Sequence, residues 1–116
     1  MRKIIATINT AGHGTNNKPF EYQQVDGYEV EAWGAKMIVT RELGSWQVYD
    51  IDSRMVVVRV ANSRKNALEL LEVTEQEVPL ETYQKCVAGW KHNQGRIRES
   101  EQSILFRLNT ARNGAI

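Results

Sequence analysis

Between Tyr28 and Ala61 apolar residues recur at alternate positions, and at Asn62-Ser63 that spacing gives way to the three-and-four spacing of a helix. A chain patterned in this way is constrained to build a sheet first and pack helices on it afterwards. In the first segment Tyr28, Val30 and Ala32 share one face, while Glu29, Glu31 and Trp33 share the other. Gly34-Ala35 follows, and glycine at the first central position suits a type II′ hairpin turn. Lys36 to Arg41 is the return strand, and Glu42-Leu43-Gly44 turns the chain again. Ser45 to Ile51 sets Trp46 and Val48 opposite Gln47 and Tyr49. After the polar turn Asp52-Ser53-Arg54, Met55 to Ala61 places Val56, Val58 and Val60 on one face, with Met55, Val57 and Arg59 on the other. Four short strands joined by tight turns form an antiparallel meander.

The flanks extend this frame. Lys3 to Thr10 reads as a further strand, because Ile4, Ile5 and Ile8 are β-branched. Residues 11–19, with Gly12, Gly14 and Pro19, read as a long polar loop. Ser63 suits an N-cap, and the segment from Arg64 to about Glu75 aligns Ala67, Leu68 and Leu71, with Leu70 at the margin. Pro79 suits the first turn of a second helix, along which Leu80, Tyr83, Val87 and Trp90 recur at amphipathic spacing. Gly89 and Gly95 predict a break between Trp90 and Ile97. Beyond it, Ile97, Glu101, Ile104, Leu108 and Ala111 fit a helical stripe, while Ile104, Phe106 and Leu108 also alternate as a strand would. The expected fold is α+β: an antiparallel meander of four to five strands with two to three C-terminal helices on one face. The core candidates are Val30, Val39, Val48, Val58, Val60, Leu68, Leu71, Tyr83 and Val87.

A chain of 116 residues suits one domain, with 1–61 mainly strands and 63–114 mainly helices. No apolar run approaches the ~20 residues of a membrane span, and the start lacks the apolar stretch of about 7–15 residues that a secretory signal needs. A lone cysteine, Cys86, cannot close an intramolecular disulfide or build a multi-thiolate zinc site. These features predict a cytoplasmic protein. Charge is balanced overall at +1, yet residues 63–81 carry a net −3 and residues 82–116 a net +4. That balance excludes a DNA mimic and a broadly basic nucleic-acid binder, so any polyanion contact is local and C-terminal.

Four places carry chemistry-bearing residues. The loop Gly12-His13-Gly14-Thr15-Asn16-Asn17-Lys18 has backbone amides and a lysine that suit an anion, but it lacks the Gly-Lys-Ser/Thr ending of a phosphate-binding loop and equally suits a plain connector. His13 and His92 could act as base and acid in RNA cleavage, with nothing in the sequence to bring them together. The stretch Trp90-Lys91-His92-Asn93-Gln94-Gly95-Arg96-Ile97-Arg98 mixes cations, amides and a ring on an expected inter-helix loop, and Arg107 and Arg112 extend it. Trp33 reads either as a surface anchor or as core. Cys86, beside Val87, reads as a small core residue. No nucleophile–base set, dinucleotide fingerprint or metal cluster is spelled out, so no cofactor is expected.

In its general style, a short chain with a compact meander, one or more helices and no catalytic signature, the whole sequence resembles small accessory proteins of phages and conjugative elements. That group includes anti-CRISPR inhibitors, which act by binding a nuclease or its guide RNA. The resemblance implies a non-enzymatic inhibitor or accessory factor acting on a protein or ribonucleoprotein, and it carries over no individual residues. The alternative is a direct RNA or DNA binder using Lys91, Arg96, Arg98, Arg107 and Arg112. A small histidine-dependent nuclease stands third.

Overall fold

The computed structural model describes residues 1–10 and 20–94. Five strands follow one another: β1 (Lys3–Asn9), β2 (Tyr22–Ala32), β3 (Ala35–Glu42), β4 (Ser45–Asp50) and β5 (Val56–Ala61). They form one sheet in sequence order, and every neighbouring pair is antiparallel. Helix α1 (Arg64–Glu77) comes next, and a second helix, α2, covers 80–94 up to the end of the described residues. The α+β class and the expected antiparallel meander are therefore observed, with five strands and, among the described residues, two helices. The expected loop at 11–19 and the final helix-or-strand segment lie outside the described residues.

Helix α1 lies across β5, β3, β4 and β2. Its Ala67 and Leu71, with Tyr83 of α2, close over Met37, Val39, Val48, Val58 and Ala61 of the sheet. The helix starts where the sequence predicts: Ser63 Oγ accepts the Asn66 amide at 3.0 Å, and Asn66 Oδ1 reaches back to the Asn62 amide at 3.2 Å. Ser63→Ala should therefore lower unfolding stability by about 1 kcal/mol, read as a shifted urea midpoint at constant slope. Leu70 and Leu80, assigned to or near the apolar stripes, are exposed instead.

The other sheet face is covered by the sheet itself. Strand β2 pairs with β1 over its first half and with β3 over its second. Gly27 sits at the handover, against the Val39 carbonyl and the Ile38 side chain. The missing side chain lets β2 swing across β3 there. Ala6 and Ile8 of β1 come down on Ile38 and Tyr49, with Val25, Ile51 and Val56 around them, as a second core. The curl brings the end of β1 to the segment before β5, where the Asn9 amide donates to the Arg54 carbonyl at 2.8 Å.

The first tight hairpin differs from the expected type II′, and the second, at Leu43-Gly44, shares its geometry. Trp33 and Gly34 have φ of 52° and 72°, and Leu43 and Gly44 have 48° and 81°. Positive φ at both central residues is the type I′ turn, whose twist matches that of the strands it joins. The first turn thus centres on Trp33-Gly34, one residue earlier than Gly34-Ala35. Trp33 is also no free surface anchor. Its ring stacks on Tyr83 with centroids 4.2 Å apart, its amide donates to Glu75 Oε2 at 2.5 Å, and its ring N–H donates to the Val78 carbonyl at 2.8 Å. Those contacts offset the unfavourable backbone angle of a bulky residue.

Strand β5 breaks the alternation its valines suggest. The register steps from Trp46↔Ala61 to Val48↔Val58 to Tyr49↔Val56, so β5 carries one more residue than β4 in each step. These bulges send Val56 to the second core and Val58 to the first, and they leave Val60 70% exposed with φ 54°. Val60, expected in the core, is a surface residue. So is Cys86, which lies on the outer side of α2.

Candidate cleft at the open end of the curled sheet

Where β1 and the start of β2 fold over β4 and β5, the two layers leave a cleft of about 730 Å³. Val25 and Val56, which pack on the second core, provide its apolar part. Asn9, Thr10 and Gln23 contribute from the β1–β2 side, and Gln47, Tyr49 and Arg59 from the β4–β5 side. Arg41, Glu42 and Leu43, at the β3–β4 turn, complete the rim together with Val60. Leu43 is fully exposed.

The polar groups in this cleft are unequally engaged. The Tyr49 hydroxyl donates to Glu42 Oε2 at 2.8 Å, with Gln47 Oε1 at 3.0 Å. Burial of the phenol, then the Glu42 carboxylate, push its pKa well above the usual tyrosine value, with Arg59 acting in the opposite direction. Glu42 Oε2 thus holds the Tyr49 hydroxyl. Arg41 and Arg59 are exposed and form no ion pair among the described residues. Two residues on the rim, Leu43 and Val60, have the left-handed backbone that non-glycine residues seldom adopt. For the β-branched Val60 such a conformation costs of order 1–3 kcal/mol, and its exposed side chain recovers little of that by burial.

A polar network ties α2 to the turn between β4 and β5. Asp50, 1% exposed, accepts the Tyr83 hydroxyl at Oδ1 and the Ser53 amide at Oδ2, the latter at 2.7 Å. Gln94 donates to the Ser53 carbonyl and accepts from the Tyr22 hydroxyl, both at 2.7 Å. The Arg54 guanidinium lies over the Tyr22 ring, 5.0 Å from its centroid. The buried side-chain polar groups here already have protein partners, so the network reads as a clamp on the 50–55 turn rather than a reaction centre.

Of the basic residues predicted to form a binding surface, Lys91 alone is described. It lies on α2, not on an inter-helix loop, and its Nζ pairs with Asp52 at 3.1 Å. Arg96, Arg98, Arg107 and Arg112 lie outside the described residues, as does His13. His92 is exposed on α2. Among the described residues no three His, Cys, Asp or Glu side chains are grouped to hold a metal ion, and no helix is long and apolar enough to cross a membrane. The cleft was not foreseen from the sequence. Its one local sign is Arg59 within an otherwise apolar run, and its walls come from residues far apart in the chain. Comparison of the chain with protein-family models, curated proteins and solved structures finds no match.

Proposed function

We propose that this chain is a non-enzymatic binding protein, an inhibitor or accessory factor, that engages a protein or ribonucleoprotein partner through the rim of the cleft. The observation that carries this reading is Val60, a β-branched residue held at φ 54° yet 70% exposed beside the fully exposed Leu43. The β5 bulges seat Val56 and Val58, but the Val60 side chain packs in neither core, and strain of this kind concentrates at binding sites. Aliphatic groups flanked by Arg41 and Arg59 give the apolar centre and charged rim from which protein interfaces are built.

Three sets of substitutions separate this reading from its rivals. Affinity capture of the native partner should fall at least tenfold for the cleft variant Arg59→Glu with Val60→Gly. Capture should persist for the triple variant Lys91→Glu, Arg96→Glu and Arg98→Glu, and for His13→Gln with His92→Gln. Val60→Gly alone should keep or raise the unfolding midpoint, since glycine removes the strain at positive φ. The converse pattern, with capture lost in the triple variant and a steep salt dependence of binding, would establish the nucleic-acid reading. Loss of activity in the folded double histidine variant would establish the nuclease.

A further inference from the structure

Resting on that docking reading, we infer that the cleft takes a short, extended peptide segment of the partner, one carrying a carboxylate that pairs with Arg59. Charge singles out the carboxylate. Glu42 is occupied by the Tyr49 hydroxyl at 2.8 Å, whereas Arg59 has no ion pair among the described residues. With Arg41 and Arg59 set against the single carboxylate of Glu42 among the described lining residues, the cleft is net cationic, and a guanidinium binds a carboxylate through two parallel hydrogen bonds.

The form of the walls selects an extended chain. Gln23 and Gln47 reach the cleft from opposite layers; the Gln23 carboxamide offers a donor and an acceptor to a peptide backbone, and Gln47, whose Oε1 faces the Tyr49 hydroxyl, offers its amide N–H groups. Leu43 and Val60 on the rim, with Val25 and Val56 inside, suit aliphatic side chains at alternate positions of such a segment. Strand β5 is an edge of the sheet, but its two register shifts blunt it as a template for a long added strand. That disfavours edge-to-edge pairing with a second copy and favours a segment of a few residues held chiefly by side chains. Nucleic acid fits the same cleft poorly. Among the described residues its one aromatic lining residue, Tyr49, is 3% exposed and hydrogen-bonded, so none of their rings is free for a base to stack upon.

The test is fluorescence polarisation with three labelled probes: acetyl-(Val-Glu)3-amide, acetyl-(Val-Gln)3-amide and hexauridylate RNA. The glutamate peptide should bind the wild-type protein at least tenfold more tightly than the glutamine peptide, and the RNA should not displace it. Arg59→Gln should erase the difference between the two peptides while leaving the circular dichroism spectrum unchanged. Equal binding of the two peptides, or displacement by hexauridylate at matched concentration, would overturn the inference. Failure here alongside loss of partner capture by the cleft variant refutes the peptide inference alone. Intact capture by that variant refutes the docking reading as well.

Discussion

Gly27→Ala should destabilise the protein by about 2–3 kcal/mol, a large share of the 5–15 kcal/mol typical of a small domain. A Cβ at this position would meet the Val39 carbonyl oxygen and lie 2.7 Å from Ile38 Cγ1. The carbonyl belongs to a central strand and cannot move without breaking its ladder, and Ile38 is fully buried. The new methyl group must therefore straighten β2 or push β1 away from the second core. Gly89 provides the opposite case, because a Cβ there meets nothing within 4 Å on the exposed side of α2. Gly89→Ala should stabilise by roughly 0.5–1 kcal/mol through helix propensity and a less flexible unfolded chain. Urea titrations of both variants check the pair, and equal effects of one sign would refute the assignment of Gly27 as the bend.

Tyr83→Phe should cost about 2–3 kcal/mol, because it leaves Asp50 Oδ1 buried without its donor. The stack on Trp33 survives the change, so the loss reports the hydroxyl rather than the ring. In an Asp50→Asn background the penalty should shrink, since a neutral amide is less costly to leave unpaired. The same hydroxyl imposes a pH dependence. Burial, followed by the Asp50 carboxylate, holds the Tyr83 pKa far above its ordinary 10.0, and Tyr49 is raised in the same direction. Above pH 10 the unfolded chain releases both phenolic protons while the folded chain keeps them. Stability is therefore fully present below pH 10 and falls above it, with a slope approaching about 2.7 kcal/mol per pH unit for two phenols. Tyr83→Phe should roughly halve that slope, and a slope unchanged by the substitution would separate Tyr83 from the effect.

Local chemistry was legible where it was decided by near neighbours. The period of two from Tyr28 to Tyr49, the return to helical spacing after Ser63 and the cap at Ser63 depend on residues a few positions apart, and each appears as read. The strand character of 22–27 was missed, because Gln23, Gln24 and Asp26 have low apolar content and their pairing partner is β1. The failure at Val60 has a similar cause. An unbroken valine run conceals a bulge, and only the ladder with β4 shows that β5 has residues to spare.

By itself, then, the sequence determined the order of elements, the antiparallel meander and the face that α1 covers, since apolar periodicity and capping are short-range properties of a chain. Tertiary structure alone decided the rest. That Gly27 is a bend follows from Val39 and Ile38 standing where its side chain would be. That Trp33 serves the core follows from Tyr83, Glu75 and Val78 gathering around a turn. That Arg59 lies in a cleft, with no ion pair among the described residues, follows from β1 and β2 folding over β4 and β5. Each of these depends on contacts between residues distant in sequence, which no local pattern encodes until the curled sheet brings them together.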